Sequence, residues 1–502
     1  MTMQANLSAI AGLQPAAVWR HFAELASVPR PSKREEQIRA HVRRFASERG
    51  FPMREDAVGN IVFDVPATPG HEHAPPVVLQ GHVDMVCEKN AHIEHDFDRD
   101  PIRLVQDRYG PAQEPIIRAA GTTLGADNGI GLALALAAAT TPDIVHPPLE
   151  ILCTIDEEMG MTGAKALAPD FFRGRRMLNL DSEEDDALYI GCAGGCDTTI
   201  TLDLKAAEPA GKFGVWRVTV TGLRGGHSGV DIHQNRANAI KLLVQTLSGV
   251  EDGRLRVAAL HGGTKRNVIP REASALVIGA ANLGAKLSAA GDQVHATAVR
   301  AGGEAGCTIT VEKALASDVT LAATPKDTRR LLTLLTALPH GVLAVVPEIP
   351  GLVQTSNGAT TVECHVHNGG LRFILGCLSR SSSSVQLHAT ARQLAAIGEL
   401  AGAEVVSHNS YPGWQPNVNS PLLATCRGIY ERLFGNPPKV AAIHAGLECG
   451  IIGERIGVGQ MDMISLGPHI EGAHSPDERV YIASVDKSWR FLTAILAELA
   501  KG

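Results

Sequence analysis

Near the start of the chain, apolar residues recur at helical spacing: Val18, Phe22 and Leu25, then Ile38, Val42 and Phe45. Two amphipathic helices are predicted there. The second is expected to begin at Ser32, with Glu35 three residues later as in a capping box, and to stop at Gly50. From Gly59 the texture changes to short apolar runs bounded by turn residues. IVFDV, PPVVLQ, LEILCTI (149–155) and RMLNL (176–180) read as buried strands, and GIGLALALAAA (129–139) has the Ala and Leu content of a buried helix. Strands alternating with helices predict an α/β sheet covered on both faces.

After about Gly195, β-branched residues dominate in CDTTITLDLK, FGVWRVTVTG, ASALVIGA and TITVEKA, with RANAIKLLVQTL and KDTRRLLTLLTAL between them as helices. This is a separate α+β unit, running through LRFILGCLSRSSSS to about residue 398. The serine run 381–384 reads as a polar loop or a helix start. Beyond residue 400, AEVVSHNSYPGW, PLLATCRGIYERLF, KVAAIHAG and the closing DKSWRFLTAILAELA return to alternating strand and helix, and are expected to rejoin the first sheet. The expected layout is 1–192 and 399–502 as one discontinuous domain, with 193–398 inserted.

The chain has 502 residues, more than one hydrophobic core usually supports. With 44% hydrophobic and 20% charged residues it reads as globular. A net charge of -7 disfavours nucleic acid as a partner. The apolar run at 129–139 is too short to span a bilayer, and MTMQANLSAI lacks a basic segment followed by an apolar one, so a cytoplasmic protein with no membrane partner is expected. Nine cysteines form no CxxC pair and read as reduced thiols, with Cys192 and Cys196 as small packing residues.

Five segments offer hard or imidazole ligands at strand ends or adjoining loops. VVLQGHVDMV places His82 and Asp84 on the same side of an extended backbone, so that one can bind a metal while the other fixes its tautomer. GTTLGADNGIG puts Asp127 in a glycine-rich turn before the Ala and Leu helix. LEILCTIDEEMGMTGA ends a strand in Asp156, Glu157 and Glu158, and RMLNLDSEEDD places Asp181 directly after another. ISLGPHIEGAHSPDERV supplies His469, Glu471 and His474 in a loop. Two histidines and three carboxylates match the needs of two divalent ions, zinc with manganese or cobalt as alternatives, if one carboxylate bridges. The assignment is Asp127 as bridge, His82 and Asp181 on one ion, and Glu158 and His474 on the other. Glu157 is left free as general base.

GHVDMVCEKN, LGADNGIG, CTIDEEMGMTGA, NLDSE and HSPDERV, in this order, resemble the motifs of the two-zinc carboxypeptidase, aminopeptidase and deacylase family that includes acetylornithine deacetylase and succinyl-diaminopimelate desuccinylase. Within it they are most similar to the aminoacyl-histidine dipeptidase branch. The resemblance continues through LRGGHSGVDIHQNRANAIK, GGTKRNVIPREA and HAGLECG, and weakens between about 285 and 350. It implies a catalytic domain with a mixed sheet and helices on both faces, carrying an inserted α+β lid that could also dimerise. It implies two zinc ions on His82, Asp127, Glu158, Asp181 and His474, with Asp84 and Glu157 catalytic. It further suggests His227 for the developing oxyanion, with Asn267, Arg380 and Gly446 holding a dipeptide, Arg380 by a forked contact to its carboxylate. The expected activity is a metallo-dipeptidase, on Xaa-His or broader substrates. A carboxypeptidase or N-acyl amino-acid deacylase on the same scaffold is the alternative, and a non-catalytic metal-dependent binding protein the rival from another class. His71, His73, His92 and His95 are expected in an exposed loop.

Overall fold

The computed structural model describes residues 2–250 and 253–502, which form two compact units. The first comprises Met1–Gly191, Pro416–Ala442 and Leu447–Gly502; the second comprises Cys192–Gln415 and Ile443–Gly446.

The first unit is built on an eight-stranded mixed sheet. Its order is Met53–Glu55, Ile61–Val65, Leu149–Thr154, Val77–His82, Arg176–Asn179, Asp462–Ser465, Ala187–Cys192 and Lys439–Ile443. The four strands from Leu149–Thr154 to Asp462–Ser465 run parallel, so their C-terminal ends open on one side. Val77–His82 and Leu149–Thr154 are buried along their whole length, the mark of strands covered on both faces. Helix Ala126–Ala138 packs against Val77–His82 and against helix Ala16–Ala26, and every residue of it but Asp127 is buried. A second, four-stranded antiparallel sheet, which the apolar pattern does not announce, joins Leu104–Tyr109 and Glu114–Ala119 to the hairpin strands Ile470–Glu471 and Arg479–Tyr481. Among the described residues no helix is long and apolar enough to cross a membrane.

The expected capping box does not form. The helix runs Glu36–Glu48 with no side-chain cap. Ser32 Oγ instead donates to Asp84 Oδ2 at 2.8 Å, and Glu35 Oε1 accepts from the Lys33 amide at 2.6 Å. The helix begins four residues beyond Ser32, with Glu35 itself at the cap position, so the expected cap residue lies outside its first turn.

The second unit is an antiparallel sheet in the order Thr308–Lys313, Gly214–Thr221, Ala273–Gly279, Arg256–Gly262, Val353–His367, Gly370–Ser381, Gly194–Leu204 and Glu404–Tyr411, with Gly341–Val345 paired to Val353–His367. Helices Ala239–Ser248, Leu283–Gly302, Pro325–Ala337 and Ser384–Leu400 share one core with it. The serine run starts the last of these helices, through Ser383 as cap. The chain was expected to return to the first sheet from about 399. Glu404–Tyr411 instead pairs with Gly194–Leu204 in the second. None of its residues is buried, which suits an edge strand and not a covered central one.

Candidate metal and catalytic site

Register brings the first ligands level. His82 lies opposite Thr154, and Gln80 lies opposite Asn179, so two residues beyond that pair His82 and Asp181 emerge side by side from adjacent parallel strands. Glu157 and Glu158 follow in the turn after Thr154. Asp127 arrives from the start of helix Ala126–Ala138, held near the strand by Asn128, whose Nδ2 donates to the Leu180 carbonyl at 2.6 Å. His474 sits in the turn of the hairpin 470–481.

The five side chains meet around Asp127. His82 Nε2 is 3.0 Å from Asp127 Oδ1 and 3.4 Å from Asp181 Oδ1. His474 Nε2 is 3.2 Å from Asp127 Oδ2 and 3.1 Å from Glu158 Oε2. Each oxygen of Asp127 therefore faces a different histidine, and each histidine has a second carboxylate of its own. Ligand atoms of His82, Asp127 and Glu158 lie within 4.8 Å of one another. Glu158 Oε1 is buried without a hydrogen-bond partner, as expected of an atom shaped for a cation. This donor set fits a pair of divalent ions.

The electrostatics call for positive charge. Burial drives the Asp181 carboxyl up to about 7 against the pull of His82. Hydrogen bonds to Asp127 and Glu158 raise His474 to about 11. Burial would lower His82, but the Asp181 charge and hydrogen bonds to Asp127, Asp181 and Asp84 lift it well above its ordinary range. Burial would likewise raise Asp127, yet His474 and His82 hold it below the usual carboxylate range. Asp84 Oδ1 lies 3.3 Å from His82 Nδ1, which leaves Nε2 directed at the cluster. Glu157 has no ion-pair partner within 4.0 Å among the described residues. Burial first, with Asp181 and Glu448 adding to it, pushes its carboxyl well above the ordinary value.

The other named residues fall elsewhere. His469 pairs with Glu471 at 3.3 Å, and Arg479 and Tyr481 also bind Glu471. His71 Nδ1 bonds the Ala500 carbonyl, the His95 ring packs on Phe97, and His73 and His92 are exposed. Within the second unit, Arg380 is buried; its Nη1 donates to Tyr411 Oη at 3.2 Å and its Nη2 is 3.5 Å from His227 Nε2. His227 Nδ1 accepts the amides of Gly229 and Val230, so its Nε2 carries the proton and, like the Arg380 guanidinium, is a donor; neither can accept from the other. Asn267 gives its carbonyl to the Ser228 amide at 2.8 Å, holding the His227 turn. Gly446 closes the short segment Ile443–Gly446, where His444 Nε2 meets Ser356 Oγ at 2.7 Å.

Sequence reasoning missed Arg30, Gln80, Thr154, Asn179, Glu448 and Glu478. Gln80 donates to Glu448 at 2.7 Å and accepts from Asn179 at 2.6 Å, and all four members of this network, Thr154 included, are 0% exposed. The one signal available was polar residues inside otherwise apolar strands, two before a ligand.

The sequence profile of Peptidase family M20/M25/M40 matches residues 78–498. The chain is 41% identical over 497 residues to the cytosol non-specific dipeptidase of Escherichia coli (strain K12), covering 98% of this chain and 99% of that one. Among solved structures it is similar to the aminoacylhistidine dipeptidase from Vibrio alginolyticus, at TM-score 0.88 and 38% identity over 97% of this chain and 98% of that chain. A tripeptidase from Staphylococcus aureus shares the fold at TM-score 0.55 and 15% identity, covering 98% and 100% of the two chains.

Proposed function

Because the chain belongs to Peptidase family M20/M25/M40, we propose that it hydrolyses dipeptides with two divalent ions held by His82, Asp127, Glu158, Asp181 and His474. The observation that carries this reading is the placement of Asp127, one oxygen toward His82 with Asp181 and the other toward His474 with Glu158. Two imidazoles and three carboxylates suit zinc, and also manganese or cobalt. When bound, such a pair supplies Lewis acidity for the scissile carbonyl and lowers the pKa of a water. Glu157 takes the proton of that water as its oxygen attacks the carbonyl carbon, and delivers it to the amine nitrogen as the C–N bond breaks. Asp84 keeps His82 in the tautomer that ligates.

Dipeptides, as opposed to longer peptides or acyl amino acids, are supported by the names of the two relatives that cover nearly the whole chain. For the substrate's carboxylate we assign Arg380, and for oxyanion stabilisation His227, on the strength of the donors they direct toward one another. Nine cysteines with no CxxC pair suit a reducing compartment, and we take the cytoplasm as its location.

The deciding experiment titrates metal-free protein with zinc, manganese and cobalt against Xaa-His dipeptides, tripeptides and N-acetyl amino acids. Hydrolysis should peak at two equivalents and favour dipeptides. Preference for N-acetyl amino acids would make it a deacylase, and no hydrolysis with any ion would leave a binding protein. In the same assay Glu157→Gln should keep two equivalents of metal while kcat falls by about 10²–10⁴.

A further inference from the structure

Two buried groups of opposite charge, neither a ligand nor the base, grip the turn that carries Asp127. Glu478, 2% exposed, lies four residues after His474. Its carboxylate accepts the amides of Leu124 at 2.7 Å, Gly125 at 2.9 Å, Ala126 at 2.7 Å and Asp127 at 3.2 Å. These include the orphan donors at the start of helix Ala126–Ala138, whose own cap residue, Gly125, has no side chain to serve them. Arg30, also 2% exposed, approaches the same turn through its carbonyls. Its Nη1 donates to Val83 O at 3.1 Å and Asp84 O at 2.9 Å, and its Nη2 donates to Gly125 O.

The glycines of LGADNGIG are what admit the arginine. A Cβ at Gly125, where φ is +68°, would stand 2.5 Å from Arg30 Nη2 and 2.9 Å from Met85 Sδ; one at Gly129 would stand 2.7 Å from Arg30 Nη2. Arg30 thus ties the Asp127 turn to the backbone just after His82, and Glu478 ties it to the hairpin that carries His474. The two histidines that face the two oxygens of Asp127 are each joined to its turn by one of these charges.

We propose that Glu478, together with Arg30, is a positioning residue that holds Asp127 in the orientation needed to bridge two ions. The proposal rests on the two-ion reading above. Carbonyls on one side and amides on the other are engaged by full charges, and charge-assisted bonds of this kind are the stronger class. A bridge requires such fixity: rotating the Asp127 carboxylate away from either histidine turns a dinuclear site into two mononuclear ones.

The test uses full-length protein loaded with manganese, Glu478→Gln and Arg30→Lys, with three readouts: affinity for the second Mn²⁺ by chelator competition, the paramagnetic resonance spectrum at two equivalents, and kcat and KM separately. Glutamine keeps the size of Glu478 but replaces one acceptor oxygen with a donor. Lysine cannot span three carbonyls. Wild type should give the spectrum of exchange-coupled ions. Both variants should bind the second ion about tenfold or more weakly and give spectra of isolated ions, with kcat falling while KM stays within about threefold. A variant with a lowered melting temperature but wild-type second-ion affinity and coupling would overturn the proposal, because a purely structural role moves only stability. Should Glu478→Gln not fold, Arg30→Lys decides alone by the same readouts. Wild type that fails to take up two coupled ions would refute the two-ion reading itself, an outcome distinct from variants that match wild type.

Discussion

Three donors from two segments converge on the fully buried carboxylate of Asp84, Ser32 Oγ at 2.8 Å and the Glu157 and Glu158 amides at 3.1 and 3.2 Å, and His82 Nδ1 lies 3.3 Å from it. One side chain therefore sets the imidazole of His82 and also the backbone that presents the base and a ligand. Asparagine at this position keeps one acceptor and turns an NH₂ toward donors it cannot satisfy. Asp84→Asn should weaken metal binding by about 10–100-fold, read by chelator competition, with kcat falling in parallel. Metal affinity equal to wild type would remove Asp84 from the ligand-orienting role. The pair His82 and Asp84 was legible because its members are two apart at the end of a strand. Arg30 and Glu478 were not, since their partners are main-chain atoms up to 354 residues distant and carry no sequence signal.

At the level of elements, three of the four parallel strands were readable as largely apolar runs, and His82, Glu158 and Asp181 as polar residues at or just beyond their ends. What a run cannot display is how closely a helix must approach. Helix Ala126–Ala138 lies so near the strand Arg176–Asn179 and its exit that a Cβ on Gly131 would fall 2.1 Å from the Leu180 carbonyl oxygen. Alanine in a helix interior ordinarily gains up to about 1 kcal/mol over glycine. Here the contact is with backbone one residue before Asp181 and cannot yield cheaply. Gly131→Ala should therefore be destabilising by about 1–3 kcal/mol in urea unfolding, and neutrality or gain would show that the helix can withdraw. The missed capping box and the strand Glu404–Tyr411 have a related origin. Ser32 answers to a carboxylate 52 residues on, and an edge strand chooses its sheet by long-range pairing, which local pattern leaves open.

Across the whole molecule a net charge of -7 conceals, in each of the two units, buried groups whose proton affinity is shifted far from the ordinary range. In the first, burial pushes the Glu448 carboxyl up to about 8, against a hydrogen bond from Thr154. In the second, burial and then Lys241 push His340 down to about 4, while burial and then Arg380 push His444 down to about 3. Glu448 binds its proton more tightly folded than unfolded. The stability it contributes is complete below its ordinary 4.5 and is lost as pH rises through 8. The histidines bind protons less tightly folded, so their contribution is complete above 6.5 and is lost as pH falls toward 4 and 3. Between pH 4.5 and 6.5 the two contributions have opposite slopes. Segment-resolved hydrogen exchange on metal-free protein should show protection around Val77–His82 and Leu149–Thr154 falling with rising pH, while protection in helix Ala239–Ser248 and strand Val353–His367 rises. Glu448→Gln should flatten the first slope and leave the second, and His340→Gln should do the reverse. Slopes of one sign in both units, unmoved by either variant, would mean that these buried groups do not govern the acid response.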